Sequence, residues 1–311
     1  MGDHRRMPSA GALLCLASAA SFGAMGIFGK LAYDEGASVG TLLAVRFVLA
    51  AALFWLLLAG AGGVRGLRAL PRRDVTIGLA LGAVGYSAQA GAYFAALDRL
   101  DASLLSLLVY TFPSIVAVAA IALGRERARR RTAVALALAS TGLVLVLAGA
   151  TAGALDPLGT ALGLSAAVVY SAYILSSEGI AARLGPLALS TLVCTGAATT
   201  LTLGGLVSGS LDPGAVSATG YGWLAGIAVV STVGAVGLFF AGLRRVGPTA
   251  ASILSTLEPV VTVGLAFLVF GESLGPAQLA GGALVLLAVL AVRTPVRVTI
   301  APHPAASEAG A

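Results

Sequence analysis

Glu258 is the residue in this sequence whose type and position most demand a chemical explanation. It follows Ser255-Thr-Leu about ten residues into a strongly apolar stretch, and Pro259 comes next. A charged side chain at the middle of a bilayer costs at least about 2.5–3.5 kcal/mol, so an acid at that depth is read first as a functional group. It suits binding of a cationic substrate moiety or exchange of a coupling proton. A structural ion pair is the competing role. Two cations could serve the same site. Arg46 lies some seven residues inside the second apolar stretch, and Lys30, the one lysine of the chain, lies near the end of the first. Either could hold a substrate carboxylate or pair with Glu258, and either could instead extend its stem to the membrane surface.

Polar and aromatic side chains recur at helical spacing on several stretches. Tyr86, Gln89 and Tyr93 fall at i, i+3 and i+7, as do Ser103, Ser106 and Tyr110. Tyr170, Tyr173 and Ser177 form a third stripe, and Ser252, Ser255, Glu258 and Thr262 a fourth. Such spacing gathers each set on one helix face, and polar groups are costly against acyl chains, so these faces should turn towards a cavity. Trp223 joins the candidate set from the eighth stretch. Pro113 and Pro259 are candidate hinges. Each removes a donor and frees the carbonyl four residues earlier, on Val109 and Ser255 respectively, beside the expected cavity.

The elements that must position these residues are membrane helices. Of the 311 residues 58% are hydrophobic and 10% charged, against about 25% charged in soluble domains; the mean hydropathy is +0.98. Ten stretches are long and apolar enough to span: Ala10–Ala32, Val39–Ala61, Val75–Leu97, Ala102–Leu123, Thr132–Ala148, Leu158–Ser177, Pro186–Ser208, Tyr221–Leu243, Thr249–Phe270 and Pro276–Val292. The fold expected is an all-α integral membrane protein. The first span follows Arg5 and Arg6 and could pass for a signal peptide, but it is long for one and belongs to an internal repeat, so it is read as retained. Gly78/Gly82, Gly159/Gly163 and Gly222/Gly226 are candidate sites of close helix approach.

That repeat is visible without gaps. Phe94-Ala-Ala-Leu97 recurs as Phe240-Ala-Gly-Leu243, and the same offset of 146 residues places Arg99 on Arg245, Ser106 on Ser252, Pro113 on Pro259 and Glu126 on Glu272. Earlier, Ser18-Ala19-Ala20 matches Ser165-Ala166-Ala167. The mate of Glu258 is Phe112, so the charge is on one side of the cavity only. Five spans per half, an odd number, invert the second half relative to the first. The organisation expected is a tail over residues 1–9, five-helix repeats over 10–150 and 151–293, and a disordered Pro/Ala-rich tail over 294–311. Spans five and ten offer little polarity (Thr132, Ser140 and Thr141; Gln278) and should lie outside, while spans one to four and six to nine enclose the cavity.

Charge sets the orientation. One set of loops and tails holds Arg5, Arg6, Arg65, Arg68, Arg72, Arg73, Arg125, Arg127, Arg129, Arg130, Arg131, Arg183, Arg244, Arg245, Arg293 and Arg297. The opposite set holds Arg99 and the acids Asp34, Glu35, Asp98, Asp101, Asp156, Asp212 and Glu272. By the positive-inside rule both termini are cytoplasmic. The net charge of +6 therefore reflects topology and anionic lipid, not nucleic acid. Cys15 and Cys194 fall within predicted helices, with no spacing for a disulfide or metal site, and His4 and His303 lie in the tails. No cofactor is expected.

The segments Ser255-Thr-Leu-Glu258-Pro259-Val-Val and Phe270-Gly271-Glu272-Ser-Leu, followed by a Gly-rich final helix, have first-half counterparts in Tyr93-Phe-Ala-Ala-Leu97, Ser106 through Pro113, and Gly124-Arg-Glu126-Arg. In motif order and repeat the chain resembles the EamA family of the drug/metabolite transporter superfamily over nearly its whole length. The family commonly has Gly directly before Glu, whereas here Arg125 intervenes. The resemblance implies ten helices around a central cavity and a secondary transporter of small metabolites, amino acids or related compounds, with export and alternating access. The partners implied are a small-molecule substrate, protons as a candidate coupling ion, and the lipid bilayer. A passive facilitator and a multidrug exporter are the alternatives. A membrane-embedded enzyme would need a catalytic histidine, paired acidic motifs or a metal cluster at the membrane surface, and ATP-driven transport would need a Gly-x-x-x-x-Gly-Lys-Ser/Thr loop; the sequence has neither.

Overall fold

A computed structural model describes residues 10–124, 130–148, 156–255 and 257–292, and these are helical almost throughout. The first half runs through α1 (Ala10–Gly23), α2 (Met25–Asp34), α3 (Val39–Gly60), the short α4 (Val64–Ala69), α5 (Arg72–Ala80), α6 (Ser87–Leu97), α7 (Ala102–Val109), α8 (Phe112–Ala122) and α9 (Arg130–Ala148). The second runs through α10 (Pro157–Leu184), α11 (Pro186–Ser208), α12 (Ala218–Ala228), α13 (Ala235–Ser255), α14 (Leu257–Phe270) and α15 (Pro276–Val292). Among the described residues seven helical stretches are long and apolar enough to cross a membrane, and three more apolar helices, Ala133–Val146, Leu257–Phe270 and Pro276–Ala288, are shorter. This is a multi-pass membrane protein.

Local chemistry sets the helix ends. Ser38 caps α3 by accepting from Thr41 N at 3.1 Å, and Ser217 caps α12 through Gly220 N at 3.0 Å. Asp156 caps α10, with Pro157 at its first position. Each satisfies a donor that a helix start leaves open. Gly185, at φ +74, ends α10, and Pro186 opens α11 directly. The membrane-spanning stretch of this sixth span ends at Ser177, as expected. The helix continues to Leu184, where Arg183 forms a two-pronged ion pair with Asp74 at 3.1 and 3.2 Å.

Two interruptions were not foreseen. Between α5 and α6 the residues Leu81–Tyr86 form a π-helical turn, and between α12 and α13 so do Val229–Gly234. They sit 148 residues apart, close to the offset of the sequence repeat. Hydroxyls bind carbonyls in these widened turns: Ser87 Oγ donates to Gly82 O and Thr232 Oγ1 to Ile227 O, each at 2.9 Å.

Packing comes in matched pairs. α1 packs on α13 as α10 packs on α6, and α1 on α14 as α10 on α8. α3 packs on α11, and each crosses the π turn of the opposite half. Helical hydrogen bonding covers Ala235–Ser255, yet the chain reverses near its middle. Ala235 O accepts from Ser18 Oγ, Arg245 and Val246 lie against Gly11, and Glu258 and Val261 lie against Gly23. α9 and α15 pair with each other, Gly142 against Gly281.

The predicted glycine contacts hold in part. A Cβ on Gly82 would sit 2.0 Å from Val193 O, and one on Gly159 2.9 Å from Arg99 Cβ. Gly222 meets nothing within 4 Å, so that position is no packing site in this fold. Seven predicted acids gather at one end of the bundle: Glu35 accepts from Ser217 Oγ, Asp212 N bonds Thr41, and Arg99 pairs with Asp156 at 3.5 Å. Asp34, Asp98, Asp101 and Glu272 share a single vestibule there, with Lys30 and Arg99.

Candidate functional site

A cavity of about 120 Å³ lies inside the bundle, lined by Phe22, Met25, Arg46, Tyr86, Gln89, Ala90, Tyr93, Phe94, Val109, Tyr110, Phe112, Tyr170 and Glu258. Seven of the sequence candidates therefore meet: Arg46, Tyr86, Gln89, Tyr93, Tyr110, Tyr170 and Glu258. They come from α3, the first π turn, α6, the break after α7, α10 and α14. Both halves contribute. The seventh and eighth spans supply no lining residue, which narrows the expected eight-span enclosure. The cause is geometric: these spans lie one layer further out and hold the lining helices from behind.

Arg46 is the most tightly placed of these groups. It is 2% exposed. Its Nε donates to Thr232 Oγ1 at 3.1 Å, and its guanidinium carbon stands 4.8 Å from the Phe47 ring centre and 5.3 Å from that of Phe94. Guanidinium stacks favourably on aromatic faces, and its planar fork stays preorganised when so held. The second π turn thus has a function in the site, since it presents Thr232 to Arg46. Sequence reading missed Thr232, because a single threonine in an apolar span gives no stripe.

Aromatic rings connect around the cavity. Phe47 meets Tyr86 at 5.5 Å, Tyr86 meets Tyr173 at 5.5 Å, Tyr173 meets Tyr170 at 6.3 Å, Tyr170 meets Phe112 at 4.7 Å and Phe112 meets Tyr110 at 5.8 Å. Most are edge-on or tilted, as ring quadrupoles favour. Tyr173 belongs to this second layer, behind the lining. Phe22, Met25 and Phe94 line the site without having been singled out, because apolar residues in an apolar span are silent in the sequence.

Pro113 sits where a helix is broken. α7 ends at Val109, Tyr110–Thr111 form a turn, and Pro113 occupies the first turn of α8, a position where its missing donor costs nothing. Pro259 is buried in the first turn of α14. The carbonyl freed four residues before it, that of Ser255, accepts from the Tyr110 hydroxyl at 2.7 Å. Ser255 thus enters through its backbone, and its own Oγ donates back to Ala251 O. The Ser252 side chain, Thr256 and Arg125–Arg129 lie outside the described residues, as do residues 1–9 and 293–311.

Two candidates lie elsewhere. Lys30 is at the acidic end of the bundle, 2.9 Å from Glu272 Oε1 and 3.7 Å from Asp101 Oδ1. Trp223 stacks on Phe28 at 5.8 Å, outside the cavity lining. Among the described residues no group of three or more His, Cys, Asp or Glu could hold a metal ion. Cys15 and Cys194 are free and buried.

Comparison with known proteins agrees with this architecture. The sequence profile of the EamA-like transporter family matches residues 9–148 and again residues 157–294. The chain is 26% identical over 291 residues to the uncharacterized transporter YcbK of Bacillus subtilis (strain 168), covering 89% of this chain and 90% of that one. A solved crystal structure of a protein shares the fold with a TM-score of 0.63 at 20% identity, covering 91% of this chain and 96% of that one.

Proposed function

Since the chain belongs to the EamA-like transporter family and moves small molecules across a membrane, we propose that it is a secondary transporter of small metabolites, amino acids or related compounds, working by alternating access in the direction of export. The observation that supports this most is the cavity itself. It is enclosed by both halves and lined by aromatic rings and two intramembrane charges, Arg46 and Glu258. Purely structural charges in a membrane bundle would pair with each other, whereas these border open space and form no ion pair among the described residues.

The architecture in this reading is ten spans in two inverted five-helix repeats, over residues 10–150 and 151–293, in the cytoplasmic membrane with both termini inside. The matched packing pairs and the paired π turns support the repeat. The gathering of acids at the Lys30 end, and of Asp74 with Arg183 at the other, supports the orientation. The break in the fourth span at Tyr110–Thr111, and Pro113 and Pro259 as hinges, supply the places where the halves can rock. In this reading the Lys30–Glu272 ion pair belongs to the outer end of the bundle, and loading is from the cytoplasm.

The test is flux. Full-length protein in proteoliposomes, preloaded with an amino acid mixture, should release selected components faster than empty liposomes, and Glu258→Gln should lower that release. Equal release from protein-containing and empty liposomes, across amino acids, organic cations and neutral solutes, would sink the proposal.

A further inference from the structure

Arg46 ties the two π turns together. Its Nε donates to Thr232 Oγ1 at 3.1 Å in the second turn, Val229–Gly234, and its side chain bonds the Tyr86 hydroxyl in the first, Leu81–Tyr86. The offset of 146 residues that aligns the sequence repeat places Tyr86 on Thr232, so one arginine is held at equivalent positions of both halves. The turns themselves are not equivalent. In the first, Ser87 Oγ donates to Gly82 O, five residues back. Residue 86, four residues from that carbonyl, is a tyrosine, whose hydroxyl is at the far end of its ring. The backbone there is also pressed on the seventh span, where a Cβ on Gly82 would fall 2.0 Å from Val193 O. In the second turn Thr232 Oγ1 donates to Ile227 O, again five residues back. Residue 231, four residues from the same carbonyl, is a serine. Its Oγ is fully buried and has no hydrogen-bond partner among the described residues. The glycine of this turn, Gly234, meets no described atom of another helix within 4 Å.

A buried hydroxyl without a partner is costly, and in a regular α-helix Ser and Thr meet this need by donating to the carbonyl four residues earlier. For Ser231 that acceptor is Ile227 O, the atom that Thr232 holds here. The two side chains are therefore alternative donors to a single carbonyl, one suited to the π register and one to the α register. We propose that Val229–Gly234 is a two-register switch. In the π register Thr232 binds Ile227 O and fixes Arg46; in the α register Ser231 binds Ile227 O and Thr232 turns away from Arg46. A change of register by one residue rotates side chains by about 100° and shifts them by about 1.5 Å along the axis, enough to break the bond to Arg46. The displaced residue passes towards Gly237, where a Cβ would meet nothing within 4 Å. The first turn has a single such donor and stays fixed, so Arg46 keeps Tyr86 while it gains or loses Thr232. The purpose of the switch rests on the transport reading above: it fixes and frees a cavity-lining cation as the cavity changes sides. Ser231 and Thr232 are positioning residues, acting on the cavity through Arg46.

Deuterium exchange of the full-length protein in lipid nanodiscs reads the register without a ligand, because each change of register breaks backbone hydrogen bonds of the turn. Ser231→Ala removes the donor of the α register and the unmatched hydroxyl of the π register. It should slow exchange over Val229–Gly234 about threefold or more, the size of one hydrogen bond, and raise the melting temperature. Thr232→Val should speed exchange there by a similar factor and lower the melting temperature, and Thr232→Ser should restore both. Ser87→Ala, which removes a matched hydroxyl from the first turn, should lower the melting temperature, the opposite sign to Ser231→Ala. In proteoliposomes preloaded with the amino acid mixture, Ser231→Ala should release it about threefold more slowly despite being the more stable protein. Equal exchange over Val229–Gly234 in wild type and Ser231→Ala overturns the switch. Slowed exchange with release at the wild-type rate overturns its part in transport. A wild type that releases no solute while the exchange pattern holds overturns the transport reading and leaves the switch standing.

Discussion

Lys30 Nζ donates to Glu272 Oε1 at 2.9 Å across 242 positions of sequence, and this contact ties the first span to the end of the ninth. Glu272 also accepts from Ala102 N at 3.1 Å, from Ser103 N at 3.0 Å and from Ser103 Oγ at 2.9 Å. It thereby caps the start of α7, which Asp101 at the N-cap position leaves without a side-chain cap. An acid on open N–H groups at a helix start is favourable in charge and in hydrogen bonding. Three elements that line the cavity, α1–α2, α7 and α14, are fastened together by one carboxylate. Burial disfavours its charge, but the hydrogen bonds from Lys30 and Ser103 prevail and hold it below the usual carboxylate range.

Replacing Glu272 with Ala should cost about 2–3 kcal/mol of stability, because it strands a half-buried lysine and two helix-start donors. Asp101→Ala should cost far less, since that side chain is 55% exposed. The pH dependence follows from the lowered pKa. The stabilisation is complete above the carboxylate's unfolded value and is lost as pH falls through the folded one. Thermal melts in nanodiscs should therefore show the wild type losing its advantage over Glu272→Ala below about pH 4. An advantage that persists unchanged to pH 2 would contradict the assignment.

Glu258→Gln should fold in normal yield and lose most transport, because the group borders the cavity and no described residue depends on its carboxylate. Glu258→Asp should retain part of the activity, the carboxylate having retreated by one methylene. Yield and initial flux per folded molecule are the paired measurements. Unchanged flux for both variants would remove Glu258 from the site.

Close backbone contact between the third and seventh spans should make glycine obligatory there. A Cβ on Gly82 would fall 2.0 Å from Val193 O, and one on Gly196 2.1 Å from Leu79 O. Gly82→Ala and Gly196→Ala should each destabilise by about 1–3 kcal/mol through overpacking. Gly222→Ala, facing open space, should be neutral or slightly stabilising. Melting temperatures of the three variants decide this, and equal values would refute the crossing.

Single cysteines in the Arg65–Arg73 segment should be labelled by an impermeant thiol reagent only in inverted vesicles, and those at Asp98–Asp101 only in intact cells, with Cys15 and Cys194 replaced. The opposite pattern would reverse the orientation and with it the direction proposed for transport.

The apolar spans, the repeat and the family were legible in the sequence because each rests on composition and periodicity, which a bilayer imposes on every helix that crosses it. Glu258, Arg46 and the Tyr86–Gln89–Tyr93 stripe were legible for the same reason, since polarity in lipid is conspicuous. What the tertiary structure decided was which conspicuous residues meet. Lys30 and Arg46 carry the same charge in similar surroundings, yet one pairs with Glu272 at the acidic end and the other lines the cavity. Trp223 and Tyr170 are equally large aromatics, and only Tyr170 reaches the lining. The π turns, and Thr232 behind Arg46, leave no trace in periodicity, because they depend on where a helix of one half crosses a helix of the other. Sequence patterns report the solvent around each helix, whereas such crossings are set by distances between residues that lie far apart in the chain.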